Sequence, residues 1–268
     1  MKEFQLIYES GIWLGIFKQF ADSGIRHGIS SRLGGISSQP FASLNLGLHT
    51  GDAPDAVREN RRRFSEAAGV MFSQVVTAEQ VHGDGVFVVR REHAGRGGAE
   101  YNQAIAGMDA LVTNEPDLPL MLFFADCVPV LIADPVRKVV AVSHAGWKGT
   151  VAAISAKTIQ TMSLEYGSNP ADCIAGIGPS IGQCCYEVDD VVMDRLKVFP
   201  YWQDIIIPQG QKYRLDLWEA NRRQLMVAGL AESNITVSRI CTACNTELFF
   251  SYRAEQGKTG RIGAVIAI

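Results

Sequence analysis

The sequence is organised around one apolar stretch, PLMLFFADCVPVLIADPVRKVVAVSHAGW, which occupies residues 119–147. Two runs rich in β-branched residues, 128–133 and 138–143, lie on either side of Asp-Pro-Val-Arg at 134–137. Apolar runs of this length are typical of buried strands, and aspartate followed by proline is typical of a turn. The stretch therefore predicts a β-hairpin at the centre of the fold.

The register of this hairpin decides which side chains meet at its open end. A four-residue loop pairs Ala133 with Lys138, and the same register places Cys127 opposite His144. A slip of one residue would put these two side chains on opposite faces of the sheet. If the register holds, the Cys127 thiol and the His144 imidazole lie together at the open end of a rigid hairpin. We expect the functional site there.

Length and composition limit the classes of protein that the chain can form. With 268 residues, 47% of them hydrophobic, the chain can bury a large core. Its net charge of -3 gives no reason to expect nucleic acid or an anionic membrane as a partner. The six cysteines show no framework of a small secreted domain, no signal peptide is recognisable, and no apolar run is long enough for a membrane helix. We therefore expect a cytoplasmic protein.

Hydrophobic periodicity predicts an α/β protein in which strands and helices intermingle without a strict βαβ alternation. We expect a mixed sheet with helices outside, in a single domain over residues 1–268, and leave the oligomeric state open, a monomer being sufficient. Residues 26–38 and 92–106 are rich in glycine and polar residues and predict loops. Helices are predicted at 55–68, 150–166, 188–198 and 215–228, and strands at 75–85, 86–89, 109–113, 173–179, 235–240 and 262–268.

Histidine and cysteine provide a candidate metal site. His93 lies in a charged stretch and is predicted to be solvated, whereas His82 precedes Gly-Asp-Gly, so that its ring can turn into a cleft. Together with Cys127 and His144 it offers three nitrogen and sulfur ligands, which suit zinc at about 2.0–2.3 Å and leave a fourth position open. Copper would compete for the same atoms. Spacing alone leaves ordinary packing as the alternative, because the three residues are far apart in sequence.

The other cysteines give weaker signals. Cys241-Thr-Ala-Cys244 is a lone CxxC, and without a second pair we favour packing over a redox or zinc-ribbon role. Cys184 and Cys185 follow the glycine-rich segment 176–182, which either cradles an anion or only makes a tight turn.

Two segments are candidates for binding phosphate. Residues 145–150 open a predicted helix, so their free amides and Lys148 form an anion site beside His144. Arg32, in the glycine-rich loop, is the second candidate.

Three blocks of sequence carry a resemblance to a known family. Val81-His-Gly83, Ala125-Asp-Cys-Val-Pro129 and Ser143-His-Ala-Gly-Trp147 resemble the signature blocks of the YfiH/YlmD family. Supporting blocks extend the resemblance over nearly the whole chain, among them those beginning at His27, Asn45, Gly178, Asp216 and Phe250. Members of that family carry the labels multicopper polyphenol oxidase, purine nucleoside phosphorylase and peptidoglycan editing factor.

The resemblance implies a layered α/β/β/α fold with mixed sheets, shared distantly with toxin deamidase domains that use a Cys–His pair. It implies zinc on His82, Cys127 and His144. The implied activity is phosphorolysis of adenosine, inosine, guanosine and methylthioadenosine to base and pentose 1-phosphate, with deamination of adenosine. The implied partners are thus purine nucleosides and phosphate.

Physical arguments separate the rival labels. A multicopper oxidase needs many histidines, often as His-x-His, whereas this chain has five histidines and no such motif. A cysteine hydrolase with Cys127 as nucleophile and His144 as base would suit editing of UDP-muramoyl amino-acid precursors. A non-enzymatic nucleotide-binding module with a structural metal would unfold when Cys127 is replaced by alanine.

The preferred hypothesis is a zinc-dependent purine nucleoside phosphorylase and adenosine deaminase, with Cys127, His144 and His82 at the catalytic centre. Arg32 and Lys148 are predicted to hold phosphate. Further pocket residues are predicted at Asn45, His49, Gln80 and Asp109.

Overall fold

A computed structural model describes residues 3–268 of the chain. The strands are β1 (Phe4–Glu9), β2 (Ile12–Phe17), β3 (Arg26–Ser30), β4 (Val76–Thr77), β5 (Val86–Val88), β6 (Ala110–Thr113), β7 (Leu120–Phe124), β8 (Val128–Asp134), β9 (Val139–Ala145), β10 (Ile174–Ile177), β11 (Glu187–Val188), β12 (Ile206–Gln209), β13 (Lys212–Leu215), β14 (Ile235–Val237) and β15 (Ile262–Ala267). The α-helices are α1 (Lys18–Asp22), α2 (Pro54–Ala67), α3 (Trp147–Val151), α4 (Ile154–Tyr166), α5 (Asp190–Leu196) and α6 (Leu217–Val227). None of the helices within residues 3–268 is long and apolar enough to cross a membrane.

The strands form two six-stranded sheets and a small third sheet. The first sheet has the order β1-β2-β3-β15-β7-β4, the second β14-β10-β8-β9-β6-β5, and the third β11-β13-β12. Most neighbouring strands are antiparallel, but β4–β7, β5–β6 and β10–β14 are parallel pairs. The predicted mixed α/β fold class is therefore confirmed.

The two large sheets pack face to face and each carries helices on its outer face. In β7, Leu122 and Phe124 point into the core between the sheets, whereas Phe123 packs with Phe64 of α2. Because side chains alternate between the faces of a strand, an unbroken apolar run such as 120–124 marks a strand covered on both sides. Val130 of β8 likewise packs in the core that α4 and α6 cover. The layers are thus helix, sheet, sheet, helix, as expected.

The central hairpin forms, but the predicted register is wrong by two residues. β8 and β9 pair Ala133 with Val140 and Pro129 with His144, so the turn is 135–138. Asp134 stays in the strand because its Oδ1 accepts hydrogen bonds from the amides of Val136 and Arg137, at 2.9 and 3.0 Å. A shift of two residues keeps every side chain on its face. Cys127 and His144 therefore still meet.

Other boundaries also differ from the prediction. The predicted loop 26–38 begins with β3, where Gly28 lets Leu14 approach so closely that a Cβ would lie 2.5 Å from its Cδ1. The predicted helix 150–166 is two helices, because Ala153 adopts a left-handed conformation with φ 59°. The strands predicted at 75–85 and 235–240 are limited to β4 and β14, and α1, β12 and β13 were not predicted.

Candidate active site

The three predicted metal ligands come together. The ligand atoms of His82, Cys127 and His144 all lie within 4.8 Å of one another, and the two imidazole rings meet edge to face with centroids 4.8 Å apart. His144 belongs to β9, Cys127 immediately precedes β8, and His82 lies in the segment after β4. His144 is buried, whereas His82 is exposed, so the group opens towards solvent on the His82 side.

Asp109 fixes the backbone that carries His82. Its carboxylate accepts hydrogen bonds from the amides of Val81, His82 and Gly83, at 3.1, 3.0 and 2.7 Å. His82 itself adopts φ 61°, a left-handed conformation that few non-glycine residues hold without support. The fully buried carboxylate supplies that support, because it gathers three consecutive amides.

The same carboxylate orients His144. Asp109 Oδ1 lies 2.8 Å from His144 Nδ1, and the His144 amide donates to the Asp109 carbonyl at 2.7 Å. A carboxylate on Nδ1 keeps the proton there and leaves Nε2 for a metal or a thiol. Asp109 is therefore a positioning residue beneath the site and does not line the cleft, contrary to the prediction that it is a pocket residue.

The thiol and the imidazole shift each other's pKa. Burial opposes ionisation of Cys127, but the charge and hydrogen bond of His144, together with His82, lower the pKa of Cys127 from 9.0 to about 6. Burial alone would lower the pKa of His144, yet Cys127 and Asp109 raise the pKa of His144 from 6.5 to about 9. The pair therefore favours a thiolate, which is the form of cysteine that binds metals and attacks electrophiles.

Gly146, the residue that precedes α3, allows the ligands to approach one another. A Cβ on Gly146 would lie 2.9 Å from Cys127 Sγ and 3.5 Å from His82 Cδ2. The predicted signature Ser-His-Ala-Gly-Trp thus contains one residue whose small size the site requires.

The group opens into a cleft of about 490 Å³, a size typical of small-molecule sites. The cleft is surrounded by aromatic rings, by two arginines and one further histidine, and by one carboxylate. The lining comprises His49, Ala78, Gln80, His82, Tyr101, Phe123, Ala125, Asp126, Cys127, His144, Trp147, Ile181, Tyr186, Tyr252, Arg253 and Arg261.

Of the residues predicted for a pocket, His49 and Gln80 line this cleft. The His49 ring packs against Tyr101 at 5.6 Å, and burial followed by the charge of Arg261 lowers the pKa of His49 to about 4. His49 is therefore neutral near pH 7. The Gln80 amide group is committed to the backbone of Phe123, donating at 2.8 Å and accepting at 2.9 Å. It clamps the segment leading to His82 onto β7.

Arg32 and Asn45 do not line the cleft. The Arg32 guanidinium binds the carbonyls of Ala42 and Thr246 and the Glu255 carboxylate, at 3.0, 2.6 and 3.0 Å. These contacts make it a structural residue that joins loops. Asn45 is fully buried, and its Oδ1 accepts from the Arg261 amide at 2.8 Å, so Asn45 positions an arginine that does reach the cleft.

Lys148 lies in a second, smaller cleft of about 280 Å³ that adjoins the first and shares His82, Asp126 and Cys127 with it. Its helix, α3, has only five residues, and the Thr150 amide already donates to the Gly146 carbonyl at 2.8 Å. The predicted anion site therefore has a shorter run of aligned peptide dipoles behind it than a long helix would offer.

Three charged residues of the cleft were not predicted from the sequence: Asp126, Arg253 and Arg261. Asp126 adopts φ 81°, and its carboxylate accepts from Thr242 Oγ1 and from the Arg253 amide, each at 2.6 Å. Its position next to Cys127 was the one available signal. Arg253 follows Tyr252 and Arg261 follows Gly260 near the end of the chain, where no spacing rule links them to the hairpin.

Comparisons with known proteins show which proteins the chain resembles. A family model described as multi-copper polyphenol oxidoreductase laccase matches residues 26–268. Purine nucleoside phosphorylase YlmD of Bacillus subtilis is 43% identical over 243 residues, which cover 90% of this chain and 87% of that protein. Adenosine deaminase RL5 from an unknown prokaryotic organism is 34% identical over 224 residues, covering 82% of this chain and 85% of that protein.

A solved structure matches the whole fold. The crystal structure of YlmD from Geobacillus stearothermophilus superposes with a TM-score of 0.94 at 39% identity, covering 100% of this chain and 99% of that one. The sequence blocks, the family model and the fold all indicate the same family. The chain therefore belongs to the YfiH/YlmD family, whose family model carries the laccase description.

Proposed function

We propose that the protein is a zinc-dependent purine nucleoside phosphorylase that also deaminates adenosine. The observation that carries the proposal is one cleft in which His82, Cys127 and His144 face two arginines and several aromatic rings. One relative is named for each activity, and each of the two aligns with most of this chain. Aromatic walls suit a flat purine, and guanidinium groups suit phosphate.

The donor set fits zinc. Two imidazole nitrogens and one thiolate within 4.8 Å of one another match a three-ligand site, and the Asp109 carboxylate behind His144 is the usual outer partner of such a ligand. A zinc ion bound there would supply Lewis acidity to a water or a substrate oxygen at its open position.

Arg253 and Arg261 replace Arg32 as the proposed phosphate ligands. Arg253 Nη1 donates to the Glu187 carbonyl, and Arg261 Nη1 donates to the carbonyls of Thr259 and Gly260, at 3.0–3.1 Å. Within residues 3–268 neither forms an ion pair with a carboxylate. Their remaining N–H groups can therefore hold an anion.

The chain's residues have separate tasks in the two reactions. In phosphorolysis the arginines hold phosphate against the anomeric carbon, where a phosphate oxygen forms a bond as the bond to the purine nitrogen breaks. In deamination, water adds to the purine ring beside the metal ligands and ammonia leaves. Neutral His49 can hydrogen bond a sugar hydroxyl without competing for phosphate.

Chromatography of adenosine and inosine incubated with the protein, with and without phosphate, tests this proposal. We expect release of adenine and hypoxanthine only with phosphate, and formation of inosine from adenosine without it. Arg261→Met should raise the phosphate KM at least about tenfold while sparing deamination, whereas Arg137→Met, in the exposed hairpin turn, should change neither. Absence of any purine turnover would refute the proposal.

One observation favours a second candidate, a cysteine hydrolase. Cys127, His144 and Asp109 form a chain of thiol, imidazole and carboxylate, and the pKa of Cys127 is lowered to about 6. An enzyme that uses Cys127 as a metal-free nucleophile would remain active after a chelator is added and would be inactivated by iodoacetamide. UDP-muramoyl amino acids are the substrates to test, and activity that needs zinc would exclude this alternative.

The laccase description is not adopted as a function. Besides the His82 group, the only other cluster of three or more metal-type side chains within residues 3–268 consists of four cysteines. A multicopper oxidase needs several histidine-rich centres, and this chain has five histidines in all.

A further inference from the structure

Four cysteines outside the active site form a second sulfur cluster. The sulfur atoms of Cys184, Cys185, Cys241 and Cys244 all lie within 4.8 Å of one another. Cys244 Sγ is 3.6 Å from Cys184 Sγ and 3.3 Å from Cys185 Sγ. The second pair of cysteines that the lone CxxC lacks in sequence is therefore supplied by the adjacent pair 184–185, about 60 residues earlier in the chain.

These distances suit a tetrahedral ion better than a disulfide. Zinc–sulfur bonds of about 2.3 Å place the sulfurs of a tetrahedral site about 3.8 Å apart. A disulfide would require about 2.05 Å, and all six cysteines, which lie within residues 3–268, are free. Four thiolates around one position are typical of a closed structural zinc site, because soft sulfur ligands select zinc or cuprous copper.

The backbone around Cys241 Sγ is arranged as it is around a bound thiolate. The Gly182 amide donates to Cys241 Sγ at 3.2 Å, and the backbone of Cys244 hydrogen bonds to the same sulfur. The Gly182 carbonyl accepts from the amides of Cys185 and Tyr186, at 2.9 and 3.0 Å, which turns the chain so that both adjacent cysteines face Cys244. Amide donors to sulfur stabilise the charged form, which is the ligand form.

Gly182 also allows the segment that carries Cys184 and Cys185 to approach the segment that carries Cys241 and Cys244. A Cβ there would lie 3.2 Å from both Cys184 Sγ and Cys241 Cβ. A side chain at this position would therefore press into the sulfur cluster.

We propose that Cys184, Cys185, Cys241 and Cys244 bind one zinc ion that fastens the segment 180–186 to the segment 241–245. Both segments reach the active cleft. Ile181 and Tyr186 line it, and Thr242 donates to the cleft residue Asp126 at 2.6 Å. The ion would thus hold one wall of the cleft in place without touching substrate. This proposal is independent of the proposed function.

Metal analysis by mass spectrometry tests the assignment. Purified wild-type protein is compared with Cys184→Ser/Cys244→Ser, with Cys127→Ala, and with Cys173→Ala, which removes the buried cysteine outside both clusters. We expect the double variant to lose one equivalent of zinc per chain. Cys173→Ala should lose none. The Cys127→Ala protein should keep the equivalent that the double variant loses, which separates this site from the active site.

A second measurement decides the matter if the double variant fails to fold. Metal-stripped wild-type protein is titrated with Co²⁺, and thiolate-to-cobalt charge transfer is followed in wild type and Cys127→Ala. Retention of an intense tetrathiolate spectrum in Cys127→Ala supports the proposal. Loss of that spectrum, an unchanged zinc content in the double variant, or a disulfide found within the cluster by non-reducing peptide mapping would overturn it.

Discussion

Replacing Asp109 with asparagine tests how the candidate metal site is organised. The carboxylate accepts four hydrogen bonds, three from the amides of residues 81–83 and one from His144 Nδ1. Asparagine has nearly the same shape but offers one oxygen and one NH₂ group. Whichever way the amide is turned, two donors of the protein face the NH₂ group. We therefore expect Asp109→Asn to fold but to hold His82 and His144 less well.

The size of the effect follows from these contacts. Loss of the outer partner of a metal-binding histidine typically reduces metal affinity by about 10–100-fold, which is about 1.4–2.7 kcal/mol. Each buried donor left without a partner costs about 1–3 kcal/mol, so unfolding should become easier by about 2–6 kcal/mol. Adenosine turnover should fall at least as much as metal affinity.

Asp134→Asn is the matched control. Asp134 is as fully buried as Asp109, but its Oδ1 alone accepts hydrogen bonds, while its Oδ2 has no partner. An asparagine NH₂ group can take the Oδ2 position without facing a donor. Zinc affinity is measured by competition with a chelator, and stability by urea unfolding. If Asp109→Asn binds zinc like wild type and loses no more stability than Asp134→Asn, the role assigned to Asp109 is wrong.

Three further predictions concern the site and the core. Gly146→Ala should reduce zinc affinity and turnover at least about tenfold, because its Cβ would crowd Cys127 Sγ; the thermal midpoint should move by only a few degrees, since φ -66° suits alanine. In metal-stripped protein, peptide mapping should find iodoacetamide labelling of Cys127 half-maximal near pH 6 and rising with pH, because the thiolate exists above its lowered pKa; added zinc should protect it, and half-maximal labelling near pH 9 would contradict the pairing with His144. Burial lowers the pKa of His27 from 6.5 to about 4, so the unfolded chain binds a proton that the folded protein refuses, and stability should fall by about 3 kcal/mol as pH drops from 6.5 to 4. Urea unfolding across this range should show a flatter profile in His27→Gln, and equal profiles would contradict the assignment.

The sequence pointed to the three candidate metal ligands because their chemistry is local. A cysteine and a histidine at strand ends are visible as such, and a slip of two residues in the hairpin left Cys127 and His144 on one face. The layered fold was predictable for a similar reason. In runs such as 120–124 every side chain is apolar. Such a strand has two apolar faces, as expected for a strand that is covered by another layer on each side.

The proposed phosphate ligands were not predictable, because the position of an arginine side chain depends on contacts between distant segments. Arg32 sits in a glycine-rich loop that looks suitable for an anion, yet its partner Glu255 lies 223 residues away. Arg261 has no motif around it and is held in the cleft through the Asn45 side chain, 216 residues earlier. The same limit hid the second pair of cysteines, since 184–185 and 241–244 meet only in the folded chain.

Two buried aspartates explain how loops without regular structure form a defined site. Asp109 collects the amides of 81–83 and orients His144, and so builds the metal side of the cleft. Asp126 accepts from Thr242 and from the Arg253 amide, and its carbonyl accepts from the Ile181 amide, so it holds the segments of Ile181 and Arg253 at the cleft. The Asp109 carboxylate is satisfied mainly by backbone amides, and the Asp126 carboxylate by one amide and one hydroxyl; such donors stabilise a carboxylate charge inside the protein. Because these amides lie up to 127 residues from the aspartate that binds them, the two aspartates turn chain segments that are distant in sequence into fixed walls. The geometry of the site therefore depends on acids that need not touch substrate, and Cys127 lies directly beside one of them.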